Sequence, residues 1–205
     1  MINMSKLDQK KKEKRDSLLT AAFSLFTSKG ITDTSVSDIA REAKMAKGTF
    51  YLYFKDKYDL RDELIATKAN SLLHTAAEVT EKQNFDNLED MIIFLVDNLL
   101  NRLNQDKTLL KFISKNLSWG VFDHMIRSEK TVIHGYSFHE AYLALLAESG
   151  RKFKNPDLLL FMMIELISST CYNVILSGQP LPLEEFKPEL YGVIIDMIHR
   201  QELIA

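Results

Sequence analysis

The chain has 205 residues, 46% of them apolar, with only four prolines and seven glycines. That is enough apolar surface for a packed core and too few helix breakers for a loop-rich or disordered chain. Its net charge of −2 excludes a protein that holds a polyanion by overall charge, and its single cysteine, Cys171, excludes an internal disulfide.

Charge is nevertheless unevenly placed. Residues 1–60 hold 12 Lys/Arg against 8 Asp/Glu, while the remainder holds 14 against 20, a basic head on an acidic body. Residues 1–9 carry no pattern and are expected to fray. Lys10, Lys11, Lys12, Lys14 and Arg15 then lead into the helical stripe Leu18, Leu19, Ala22, Phe23, Leu25 and Phe26, with Gly30 as its stop. The basic run is read as the exposed start of that helix, placed to meet phosphates.

Two very short helices follow. In the first, Val36, Ile39, Ala40 and Ala43 share one face behind Thr34 and Ser35, with Asp38 spaced for a capping box. In the second, Phe50 and Phe54 face inward while Gly48 and Leu52 face out, flanked by Thr49 and Tyr51 and preceded by Lys47. Neither is long enough to stand alone. Two short helices joined by a tight turn form the helix-turn-helix arrangement, whose second helix enters the DNA major groove.

The stretch from Thr34 to Lys57 resembles the N-terminal signature of the TetR family of bacterial transcriptional regulators. The resemblance rests on T-S-V-S-D-I-A, on K-G-T-F-Y-L-Y-F and on the K-D-K-Y-D-L that follows. It implies DNA contact at Lys47, Gly48, Thr49, Tyr51, Leu52 and Tyr53, a phosphate contact at Lys57, and further contacts from Thr34 and Ser35 where the first short helix begins. Geometry turns Tyr53 partly toward the core, and Leu52 can read only shape or a thymine methyl group. The chain departs from the family pattern at two points. Lys44 stands in the turn where glycine is usual, forcing a residue with a Cβ into a conformation glycine adopts more easily. Ala46 stands where a serine would cap the second helix.

A fourth helix, starting near Lys55 and Lys57 and running to about residue 83, carries Leu60, Leu64, Ile65, Leu72, Leu73 and Ala76. Asn87 can cap a helix through Met91, Phe94, Leu95, Leu99 and Leu103, and another spans roughly Asp106 to Asn116. Residues 117–136 read as one irregular or short helical piece, with breaks at Trp119-Gly120 and His134-Gly135. Ser137 and Glu140 form a capping box for a helix that ends at Gly150. Asn155-Pro156 opens a helix to Ser177 that is apolar almost all round. Glu165, Ser168, Ser169, Thr170 and Asn173 interrupt it, so it reads as buried between helices and not as a membrane span. After Pro180 and Pro182 comes a last helix with Leu190, Val193, Ile194, Met197 and Ile198 on one stripe, Pro188 in its first turn and Gly192 open to close approach. Two adjacent terminal helices with so much apolar surface suggest a four-helix bundle built from two chains, where the resemblance also places the dimer.

Enzymatic motifs are missing from this sequence: no nucleophile elbow, phosphate-binding glycine loop, zinc-protease motif or cysteine ligand pair occurs. His134, His139 and Glu140 do not share a helical face and Glu140 is taken by its cap, so no metal and no cofactor is expected. Asn116-Leu117-Ser118 fits a glycosylation pattern, which a cytoplasmic protein would not use. The resemblance implies an effector pocket in the body. Its candidates are Phe94, Phe112, Trp119, Phe122, Tyr136, Phe138, Met162 and Tyr172, with Glu165 and Asn173 as polar groups, a set that also resembles ordinary core. The reading is an all-α chain with a helix-turn-helix head over residues 1–55 and an effector-binding, dimerising body over residues 56–205. The expected function is a cytoplasmic, ligand-responsive regulator, a repressor by resemblance, on a palindromic double-stranded operator. A partner-binding or DNA-organising protein without an inducer is the alternative.

Overall fold

A computed structural model describes residues 6–116, 132–133 and 136–203. The chain divides into two compact units, Met1–Thr67 and Lys68–Ala205, with the division falling inside the fourth helix.

The first unit is built on α1 (Lys6–Ser28), α2 (Val36–Glu42), α3 (Lys47–Phe50) and the opening of α4 (Lys57–Thr80). Helix α1 starts earlier than the basic run suggested, because Asp8 in its first turn complements the helix dipole and the lysines that follow are good helix formers. Its Leu18, Ala22 and Phe26 are buried with Ile39, Ala40, Phe50, Phe54, Leu60 and Leu64, so every short element here is held by one shared core.

The second unit takes the rest of α4 and adds α5 (Leu88–Gln105), α6 (Lys107–Asn116), α7 (Phe138–Glu148), α8 (Pro156–Ser177) and α9 (Leu183–Gln201). Caps set the bounds. Asn87, Ser137 and Asn155 each accept a hydrogen bond from the backbone three residues on, and Gly178 ends α8 with φ 66°. The all-α expectation needs one small addition. Val132–Ile133 (β1) and Tyr136–Ser137 (β2) form an antiparallel pair with Ile133 opposite Tyr136, a two-strand turn just before α7. The breaks expected at Trp119-Gly120 and His134-Gly135, and residues 117–131 of the irregular piece expected over 117–136, lie outside the described residues.

Pro188 is displaced from the first turn. Helix α9 begins at Leu183, behind Pro182 and with Glu184 and Glu185 in its first turn, so Pro188 falls in its second turn. There it removes one helical hydrogen bond. A buried polar cluster ties this end of α9 to α5. Lys187 is 7% exposed, and its ammonium donates to Asn101 Oδ1 at 2.7 Å and lies 3.0 Å from Asp97 and 2.9 Å from Glu184. The Tyr191 hydroxyl donates to Asp97 Oδ1 at 2.6 Å. Burial disfavours the charge on Asp97, but the donors Tyr191, Lys187 and Asn101 outweigh it and hold its carboxyl below the usual range. At the other end of α9, Arg151 donates to Glu89 at 2.6 Å and to Glu202 at 2.8 and 2.7 Å. Backbone bonds from Lys154 to Gln201 and from Leu203 to Lys152, both 2.7 Å, close the chain end onto the α7–α8 connection.

Candidate nucleic-acid interface

The turn between α2 and α3 is set by local geometry. Ser35 and Asp38 form a complete capping box: the Ser35 hydroxyl accepts from Asp38 N and the Asp38 carboxylate accepts from Ser35 N, each at 3.1 Å. Lys29 at 2.9 Å and Arg41 at 2.6 Å also pair with Asp38. Lys29 and the Ser35 donors hold that carboxyl well below the ordinary range. Lys44 takes the left-handed conformation, φ 56°, alone among the described non-glycine residues. Ala46 stands at the N-cap of α3 with extended backbone and no side-chain cap. Both departures seen in the sequence are therefore real features of the backbone.

Helix α3 is a single turn that continues as a tight coil, with Leu52 N donating to Thr49 O at 3.2 Å and Tyr53 N to Phe50 O at 3.0 Å. Phe50 is fully buried and its ring lies 5.7 Å from that of Phe54. The Arg15 guanidinium sits 5.4 Å from the Phe54 ring centre while pairing with Glu63, which fastens α1 beside the coil. With the phenylalanines inward, the other side chains must face out. Lys47 and Gly48 are exposed, Tyr51 is 52% and Leu52 79% exposed, and Thr49 and Tyr53 are half-buried. No carboxylate belongs to this surface between Lys44 and Lys55. The next acidic groups are used as caps: Asp56 accepts from Tyr58 N and Asp59 N, which lowers its pKa, and Asp59 accepts from Lys55 N at 2.8 Å.

Three expected contacts are placed differently. Thr34 is 1% exposed and its hydroxyl donates to Gly30 O at 2.7 Å, so its side chain supports the turn from within. Ser35 is exposed, but its hydroxyl is occupied with the Asp38 cap. Lys57 donates to three carbonyls, Ile31 O at 2.8 Å and Thr32 O and Thr34 O at 2.9 Å, which uses every proton of its ammonium on the α1–α2 turn. Nothing in the local sequence pointed to those carbonyls, which lie 23 to 26 residues away.

The body holds a separate feature, a cavity of about 220 Å³ between the second half of α4 and helices α5, α7 and α8. Of the seven pocket candidates whose side chains are described, Phe138 alone is among its lining residues. Phe94 is half-buried against Phe85 with ring centres 5.3 Å apart, and Phe112 is buried. Glu165 and Asn173 are exposed on α8, and Met162 and Tyr172 are half-buried away from the lining. Trp119 and Phe122 lie outside the described residues, as does the Tyr136 side chain. The walls come instead from aliphatic positions such as Leu73, Leu95, Leu99 and Met163, which in sequence look like any other core. His139 is buried with Nε2 2.6 Å from Asp157 Oδ1, and His134 lies outside the described residues.

Residues 18–64, the helix-turn-helix and its flanks, match the family profile described as bacterial regulatory proteins, tetR family. The HTH-type transcriptional regulator YvdT of Bacillus subtilis (strain 168) is 29% identical over 126 residues, 60% of this chain and 61% of that protein. The chain thus spans less than two thirds of that relative. Among solved structures, a tetR family transcription regulator from Shewanella sp. PV-4 matches with a TM-score of 0.68 at 16% identity, covering 93% of this chain and 99% of that one. FadR from Bacillus subtilis, in complex with stearoyl-CoA, matches with a TM-score of 0.64 at 19% identity, covering 89% and 98%. These likenesses extend the fold over the body as well as the head. The head of the chain, residues 18–64, thus carries the tetR-family profile, and the chain as a whole shares the fold of these regulators.

Proposed function

We propose that the chain is a cytoplasmic, ligand-responsive transcriptional repressor that binds a palindromic operator as a homodimer, and that it is not an enzyme. The observation that carries the DNA reading is the outward face of α3 and the coil after it. Lys47, Gly48, Thr49, Tyr51, Leu52 and Tyr53 present a cation, hydroxyls, an aromatic ring and an open backbone, with no carboxylate to repel phosphate. Tyr51 and Thr49 serve as hydrogen-bonding groups, Lys47 as a phosphate contact, and Leu52 as an apolar contact. The exposed Lys10, Lys11, Lys12 and Lys14 add salt-dependent affinity without sequence preference.

The dimer reading rests on α8. Its most apolar stretch has a mean hydropathy of 1.7, yet only 33% of that stretch is buried within the chain. By length and composition the helix could cross a membrane, but Glu165, Ser168, Ser169 and Asn173 are exposed along it and oppose lipid contact. A second copy of α8 and α9 would cover the apolar surface. Val193 is 46% exposed there, and a Cβ added at Gly192 would meet nothing within 4 Å. Two-fold symmetry would then impose a palindromic site.

The cavity in the body is the effector site in this reading; that a protein of this fold takes a small molecule at all is supported by FadR, solved with stearoyl-CoA. A ligand that prefers one conformation of the dimer shifts the population away from the one that grips the operator. The test is a gel-shift titration with the operator selected from random duplexes. The double variant Lys47→Ala with Tyr51→Ala should lose at least a hundredfold in affinity while sedimenting as the same dimer. Unchanged affinity would refute the reading face.

A further inference from the structure

The cavity is walled by apolar side chains of four helices, among them Leu73 of α4, Leu95 and Leu99 of α5, Leu145 of α7 and Met163 of α8. Among the described residues, only three of the lining carry a side-chain oxygen. The Thr80 hydroxyl donates to Ala76 O at 2.9 Å and the Tyr142 hydroxyl to Pro156 O at 2.9 Å, and Glu81 is exposed. Both hydroxyl protons are therefore committed, while each oxygen keeps an acceptor lone pair. Along the helices the backbone N–H groups of the lining are spent in the helical ladder, except at Phe138, the first residue of α7. A carboxylate entering this space would find no side-chain donor among the described residues and would shed most of its hydration without replacement, which is far costlier than burying a hydroxyl.

The neighbouring cleft sharpens the choice. It shares Met91 and Leu145 with the cavity and is lined further by Asp86, Glu148 and Arg151. Arg151 is the one cation among the described residues that line either space, and its guanidinium is already bound to Glu89 and Glu202. The described lining of the two spaces is therefore net negative, which disfavours an anionic head group as well. At about 220 Å³ the cavity is also smaller than the roughly 300–1,000 Å³ usual for ligand pockets.

We propose that this cavity takes a small, uncharged, predominantly apolar molecule carrying at most a hydroxyl donor, and rejects carboxylates and phosphorylated acyl carriers. The proposal rests on the reading of the cavity as the effector site and names the chemical class of its ligand. An alcohol matches the lining on both counts. Its chain meets aliphatic walls, and its hydroxyl proton can go to the free lone pair of Thr80 or Tyr142.

Isothermal titration of the full-length protein at pH 7.5 with 1-octanol and with octanoate tests it, the two probes differing only in the charged group. One octanol per chain is expected, with octanoate at least tenfold weaker. Two variants that fill the cavity from different helices, Ala141→Met on α7 and Ala77→Leu on α4, should each weaken octanol at least tenfold, folding being checked by circular dichroism. Octanoate binding as tightly as octanol, no octanol binding, or octanol binding unchanged in both folded variants would overturn the proposal. A gel shift run alongside separates it from the regulatory reading. Octanol that binds in the cavity without releasing operator leaves the ligand class standing and refutes its role as inducer.

Discussion

Lys57→Met asks whether the lysine after the reading coil serves the DNA or the fold. The substitution keeps an unbranched stem and removes the ammonium, whose three donations to Ile31 O, Thr32 O and Thr34 O measure 2.8, 2.9 and 2.9 Å. A hydrogen bond from a charged donor is worth about 1.5–3 kcal/mol when shielded and much less when wet. Two of the three contacts are partly buried and one is exposed, so the loss should be roughly 2–4 kcal/mol of head stability. Urea unfolding followed by circular dichroism measures that loss. A second measurement separates the roles, because a lysine on phosphate releases a counterion. Removing it would lower the slope of log K against log salt by about 0.9. Lys57→Met should leave that slope unchanged on a non-specific duplex, whereas Lys47→Ala should reduce it by about 0.9 with stability within ~0.5 kcal/mol of wild type. A reduced slope for Lys57→Met with unaltered unfolding would refute the structural role.

Further expectations concern the turn, the carboxylates and the thiol. Lys44→Gly should stabilise the head by about 0.5–1 kcal/mol, since relief of the ~1–2 kcal/mol left-handed cost exceeds the ~0.4–1 kcal/mol of added unfolded-state entropy; a destabilised variant in urea melts would sink this. Ala46→Ser should gain less than the ~1 kcal/mol of a typical cap, because Thr49 N already donates to Ala46 O at 2.9 Å. For Glu89, burial opposes the charge, but Arg151 and His199 outweigh it and keep its folded pKa low, as donors do for Asp97. Their stabilisation is complete above the ordinary carboxylate pKa and is lost as pH falls through the depressed folded values. Glu89→Gln with Asp97→Asn should therefore flatten the acid side of the stability profile, read as urea midpoints from pH 7 down to acid denaturation. Burial pushes the Cys171 thiol up to about 11, so a thiol reagent at pH 8 should label it only on unfolding, and prompt labelling of the native protein would contradict its burial.

Much of the secondary structure was legible because its signals are local. Ser35 with Asp38, Ser137 with Glu140, and Asn155 before Pro156 each complete their hydrogen bonds within three residues, and the structure begins helices at all three. The left-handed Lys44 and the uncapped Ala46 followed from residues in place of the expected glycine and serine. The outward turn of Gly48 and Leu52 followed from the period set by Phe50 and Phe54. Pro188 was misplaced for a related reason. Proline reads as a helix start, but the acidic first turn at Glu184 and Glu185 moves the start upstream.

The remainder depends on contacts between distant segments. Lys57 looked like a phosphate ligand until Ile31, Thr32 and Thr34 brought their carbonyls to it. Lys187 is enclosed by Asn101, 86 residues away, and by Asp97. Of the described cavity candidates, chosen for aromatic or polar character, Phe138 meets a lining that is otherwise mostly aliphatic. The reason is geometric: a helical period fixes where a side chain points from its own axis, but a cavity exists only where side chains of several helices fail to meet. The amino-acid order thus determined the elements, their caps and the face turned outward from the coil, while tertiary packing alone decided which polar groups were spent on the fold and where space was left between helices.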